Sequence, residues 1–223
     1  MKSVLMIVTS HDRLGSSDRK TGFWLEELAA PYLELTRAGA QVDIASPLGG
    51  KPPVDPNSER EPTAAISAFV ADGAATAKLE HTRRLADLEE TYDAYFVVGG
   101  HGVMWDLAKD ASLAALLTNA YEAGKVIAAV CHGPAALVHI RLPSGKLLLA
   151  KHHVTGFSNA EERAVGLASV VPFALETALR QRSRKYECAP EWQPFAIRDE
   201  QLVTGQNPAS SVLVARETLA ALG

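Results

Sequence analysis

The chain has 223 residues, a net charge of -4, 47% hydrophobic and 22% charged residues. Such a length and mixture suit one globular domain over residues 1–223, with a core that needs no metal or disulfide for stability. The acidic balance argues against a nucleic-acid partner, which calls for a basic face.

Two cysteines, Cys131 and Cys188, are too few for a disulfide scaffold and fit a reducing, cytoplasmic compartment. No stretch approaches the roughly 20 apolar residues of a membrane span, so no membrane partner is expected.

Short apolar runs alternate with helical patterns along the chain. Val4–Val8 reads as a buried first strand. Helical spacing follows from Phe23 to Ala38, closed by Gly39. Val42–Ala45 is the second strand. Pro47 to Pro62, rich in proline, is a loop or lid, and Thr63 then sits at an N-cap position before a weak helical pattern. Ala94–Val98 is a third strand, running into Gly99-Gly100. Ala111 to Ala123 is helical, closed by Gly124. Val126–Val130 is the fourth strand and leads directly into Cys131. Val154 opens another extended segment. Arg184 to Pro194 is an irregular loop carrying Cys188 and Trp192, of the kind that borders active sites. Leu202–Thr204 is a late strand, and Ser210 to Leu222 a closing helix. This alternation predicts an α/β three-layer sandwich: a mainly parallel sheet with helices on both faces.

Val126 to Leu137 carries the strongest chemical signal. An apolar strand meets Cys131, then His132, Gly133 and Pro134, then a helical pattern. That order resembles a nucleophile elbow, a sharp strand-to-helix turn that lifts a side chain above the sheet. The partial positive charge of a helix N-terminus is expected to lower the thiol pKa. The free N–H groups there can hold an oxyanion. A buried structural cysteine is the plain alternative. The Gly99-Gly100-His101-Gly102 turn ends the neighbouring strand, so both turns can share one pocket at the carboxyl end of the sheet.

Ala129-Val130-Cys131-His132-Gly133-Pro134, with Gly99-Gly100-His101-Gly102 upstream, resembles the DJ/PfpI superfamily of flavodoxin-like proteins. Three further stretches resemble its glyoxalase III branch: Thr21-Gly22-Phe23-Trp24-Leu25-Glu26-Glu27-Leu28-Ala29-Ala30-Pro31, Val154-Thr155-Gly156-Phe157-Ser158-Asn159-Ala160-Glu161-Glu162 and Val203-Thr204-Gly205-Gln206-Asn207-Pro208-Ala209-Ser210. The resemblance implies Cys131 as nucleophile and His132 as its base. It implies Glu27, rather than Glu26, beside the sulfur. It also implies Glu162, with Glu161 the other choice, as the acid that orients His132. Gly100, His101 and Trp24 would bind substrate or stabilise an oxyanion. A carboxyl group beside a thiolate should have a raised pKa, because like charges repel.

The implied reaction turns a small aldehyde, methylglyoxal, into lactate without glutathione, cofactor or metal. A homodimer is implied as well. A protein deglycase would use the same residues, and a holding chaperone or oxidation-sensing thiol protein is a different class of answer. An amidase is disfavoured, because no later His-x-Glu segment exists. The seven histidines are scattered without zinc-helix spacing.

Overall fold

The computed structural model describes residues 1–60, 62–89 and 91–223. Glu61, within the loop expected over Pro47 to Pro62, lies outside the described residues. In chain order the strands are β1 (Ser3–Ile7), β2 (Gln41–Ser46), β3 (Arg83–Arg84), β4 (Ala94–Val97), β5 (Val126–Val130), β6 (His153–Val154), β7 (Lys185–Tyr186), β8 (Ala196–Asp199) and β9 (Leu202–Gly205). The helices are α1 (Leu25–Arg37), α2 (Ala64–Ala71), α3 (Gly73–Glu80), α4 (Ala111–Glu122), α5 (Asn159–Ala164), α6 (Leu175–Arg182) and α7 (Ser211–Leu222).

Seven strands form one sheet in the order β3-β2-β1-β4-β5-β9-β8, and β6 pairs with β7 apart from it. Every neighbour in the large sheet is parallel except the β8–β9 pair. Apart from half-buried Ser3, the central strands are apolar and buried along their length. Parallel strands covered on both faces demand such runs. The chain moves outward through β1, α1 and β2, then reverses through β4, α4 and β5. Right-handed crossovers therefore put α1 and α4 on opposite faces of the sheet. The result is the flavodoxin-like three-layer arrangement. Ligands in this architecture bind outside the carboxyl ends of the strands, near such a reversal.

Gly39 and Gly124 end α1 and α4 with φ of 83° and 71°, the left-handed turn expected after a helix. Thr63 caps α2, its hydroxyl accepting from the Ile66 N–H at 3.1 Å. One expectation is corrected. Cys131 is followed by a single 3-10 turn, Gly133–Leu137, rather than an α-helix. A turn that short sums few peptide dipoles. β3, β7, β8 and α6 were not expected from the sequence, and β7 lies within the stretch read as the irregular loop Arg184 to Pro194. Ala196-Ile197-Arg198-Asp199 is a half-polar edge strand, and α6 has polar residues through much of its length.

His152 is fully buried just before β6. Its Nε2 pairs with the Tyr121 hydroxyl of α4 at 2.8 Å. Burial pushes its pKa down, and the Asp199 carboxylate only partly opposes that. The unfolded chain therefore takes a proton near pH 6.5 while the folded chain does not, so stability is lost as pH falls below that value. Thermal melts of wild type and His152→Gln from pH 7 to 5 check this. The melting temperature of the wild type should fall more steeply than that of the variant; parallel slopes contradict the assignment.

Candidate active site

β4 and β5 lie side by side, and their ends deliver the two turns to one place. Cys131 leaves β5 with φ of 59°, a left-handed conformation that is strained for a residue with a side chain. Two hydrogen bonds hold it there. The Cys131 N–H donates to the Gly205 carbonyl at 2.9 Å, and its carbonyl accepts from the Phe157 N–H at 2.9 Å. This is the elbow geometry, and it turns the side chain off the sheet.

His132 Nδ1 lies 3.3 Å from Cys131 Sγ, and His132 Nε2 lies 2.8 Å from Glu162 Oε2. The His101 and His132 side chains hold the Glu162 pKa down despite its burial. The carboxylate is therefore ionised and can only accept. His132 must donate from Nε2, which leaves the Nδ1 lone pair facing the thiol. Burial, with His101 close by, pushes the His132 pKa down to about 4, so the ring is neutral near pH 7.

Glu27 of α1 is fully buried, and its carboxyl faces the Cys131 thiol and the Gly99 N–H without reaching full hydrogen-bond geometry to either. Burial raises its pKa well above the usual range, so it carries a proton. The lowered thiol pKa expected from the sequence is corrected: burial, and then Glu27, push the Cys131 thiol up. The resting sulfur is a thiol with a base in contact, rather than a free thiolate.

His101 follows Gly100 and donates from Nε2 to Glu162 Oε1 at 2.9 Å. Its ring lies 4.1 Å from that of His132, centre to centre. Among the described residues, the backbone N–H groups of Gly100 and His101 have no carbonyl partner and are available to an oxyanion. The His132 N–H faces the Cys131 sulfur.

A family model described as "DJ-1/PfpI family" matches residues 20–221, nearly the whole chain. The chain belongs to the DJ-1/PfpI family. It is similar to Rapid Encystment Protein 24 kDa of Francisella tularensis, at 40% identity with all of both chains covered and a TM-score of 0.96. It is 29% identical to Glyoxalase 3 of Candida albicans, covering 99% of this chain and 98% of that one. The glyoxalase III structure from Candida albicans superposes with a TM-score of 0.91 at 27% identity, covering 99% and 97% of the two chains. A glutathione-independent glyoxalase of Saccharomyces cerevisiae is also 29% identical, over 99% of this chain and 98% of its own.

Of the residues named from the sequence, Cys131, His132, Glu162, Glu27, His101 and Gly100 converge on one site of this family fold. Trp24 stands beside it. Its N–H donates to the Gly99 carbonyl at 3.1 Å. The residue lines a neighbouring cavity of about 530 Å³ with Asn57, Arg60 and Pro208, and Cys131 is not in that wall. Asn57, Ser58 and Arg60, from the stretch expected as a loop or lid, thus form one side of that cavity.

Glu161 serves the surroundings. It completes the Ser158 capping box of α5 and accepts from the Trp192 N–H at 3.0 Å and Asn207 Nδ2 at 2.8 Å. Phe157 and Trp192 were not assigned roles from the sequence. Phe157 lies 4.4 Å from the His132 ring, and Trp192 packs on Phe157 at 5.9 Å, centre to centre. Aromatic residues near an elbow could have flagged them. Cys188 is half-buried and lines a separate cavity with Arg163 and Glu176.

His101, His132 and Glu162 are the one group among the described residues whose ligand atoms converge enough for a metal, all within 4.8 Å. Two ring nitrogens and the two Glu162 oxygens already satisfy one another as donors and acceptors.

Glu162→Gln replaces the double acceptor with an amide that presents only one oxygen. The His132 tautomer is then no longer fixed. Alkylation of Cys131 by iodoacetamide at pH 7, followed by intact mass, should slow by about tenfold or more, the equivalent of one pKa unit. An unchanged rate would show that Glu162 does not set the base.

Proposed function

We propose that the chain is a glutathione-independent glyoxalase that converts a small 2-oxoaldehyde such as methylglyoxal into its 2-hydroxy acid, lactate. One observation carries the reading: His132 Nδ1 stands 3.3 Å from the sulfur while Nε2 is committed to Glu162. The full-length similarity to glyoxalases of two yeasts supports it. So does the tightness of the site. Cys131 is 4% exposed, which suits a small aldehyde better than a glycated side chain on a protein.

Cys131 acts as the nucleophile. His132 accepts the S–H proton as sulfur bonds to the aldehyde carbon, and the free N–H groups of Gly100 and His101 stabilise the oxygen that gains charge. Neutral Glu27 presents its proton to the sulfur as charge develops there. Protonation of the oxygen gives a thiohemiacetal. Proton shifts through an enediol turn it into a thioester, and water releases the hydroxy acid and the thiol.

Purified protein should form lactate from methylglyoxal with no glutathione present, and Cys131→Ala should lower kcat by on the order of 10³-fold or more. Protonation of His132 removes the base. Because its pKa lies near 4, the rate of Cys131 alkylation by iodoacetamide should stay flat down to about pH 5 and decline below that. An acid limb centred near 6.5, the free imidazole value, contradicts the assignment.

A further inference from the structure

We propose that His101 is a second acid–base residue, which moves the carbon-bound proton while His132 moves the oxygen-bound one. The proposal rests on the glyoxalase reading above. His101 and His132 share Glu162 as if they were one device, each donating Nε2–H to its own carboxylate oxygen. The other nitrogen of His132 faces the sulfur. The other nitrogen of His101 has no hydrogen-bond partner among the described residues, and it is not sealed from solvent. That nitrogen is open to a substrate atom.

The position is built rather than incidental. Gly100 has φ of 104°, and a Cβ there would fall 2.4 Å from the Gly22 carbonyl oxygen. The turn therefore sits flush on the 22–24 segment. His101 is 7% exposed where His132 is 0%, so it stands nearer the side from which substrate enters.

Proton accounting gives the second ring its task. The thiohemiacetal S–CH(OH)–C(=O)–CH3 must become the thioester S–C(=O)–CH(OH)–CH3. One hydrogen leaves the first carbon and arrives on the second. Another leaves the first oxygen and arrives on the second. His132, against the sulfur, reaches the oxygen on the sulfur-bearing carbon and carries the O–H proton. His101 Nδ1 takes the C–H proton, the C–H electron pair becomes the enediol double bond, and the same proton returns to the second carbon. No oxidant or other reactant is consumed, and both rings end as they began.

His101→Gln keeps an N–H donor for Glu162 but has no basic nitrogen. Lactate formation from methylglyoxal should fall by roughly 10²-fold or more, the usual weight of one acid–base group. The isotope effect with aldehyde-deuterated methylglyoxal should rise above that of wild type. Cys131 alkylation by iodoacetamide should keep its wild-type rate, and free imidazole should restore turnover to His101→Ala. Unchanged turnover in both variants overturns the proposal. Turnover and alkylation falling together overturn it as well, for His101 would then act only through Glu162 and His132. If wild type itself forms no lactate, the glyoxalase reading fails and this proposal fails with it; inactive variants beside an active wild type leave that reading intact.

Discussion

Glu162 accepts from two imidazoles at once, and the chemistry of the site depends on that sharing. A carboxylate in a mostly buried place pays a desolvation penalty. Two N–H donors at 2.8 and 2.9 Å overcome it and keep the group ionised. Charge-assisted hydrogen bonds are strong enough for that task. The sharing also places a proton on Nε2 of each ring. In neutral His132 the lone pair is then left on Nδ1, toward the sulfur. Three chain segments far apart in sequence, the turn after β4, the elbow after β5 and the first turn of α5, are thereby held in one plane of function.

Close approach of backbone is the second constraint. A Cβ on Gly99 would lie 2.2 Å from Glu27 Oε2 and 2.8 Å from Cys131 Cβ. Only glycine lets α1 bring its carboxyl group to the sulfur past the end of β4. The strained φ of Cys131 belongs to the same arrangement. It is maintained by Gly205 on one side and Phe157 on the other, so the sheet and the segment before α5 both support it. A residue held in that region by its neighbours is pre-organised before substrate arrives.

The strands that matter were legible because parallel central strands must be apolar throughout. Val126–Val130 falls where the apolar run places it. β8 was not legible, because an antiparallel edge strand needs only a half-buried, alternating surface, and Ala196-Ile197-Arg198-Asp199 looks like loop. The site residues stood in motifs at strand ends, where periodicity breaks and small residues gather. The sequence alone does not separate Glu161 from Glu162. Adjacent positions in a helix point about 100° apart, and only the packing of Ser158, Trp192 and Asn207 around Glu161 says which carboxyl group faces the elbow. The direction of the thiol pKa was also hidden. It depends on burial and on Glu27, which is remote in sequence, and the helix dipole invoked from the sequence belongs to a helix that is a single turn.

Charge balance explains how a thiol with a raised pKa can still act. At rest the site holds one anion, Glu162, with Glu27, Cys131 and His132 neutral. Moving the proton from sulfur to His132 Nδ1 creates a thiolate and an imidazolium, yet the total charge of the site does not change. The new cation lies between two anions, the sulfur at 3.3 Å and the Glu162 oxygen at 2.8 Å. Opposite charges at such separation attract strongly where water is excluded. The Glu27 proton then has an anion to face, so the hydrogen bond left incomplete at rest forms as the sulfur becomes reactive. Burial that disfavours an isolated thiolate therefore favours one made in concert with its base, and the same burial prevents water from competing for the sulfur's partners.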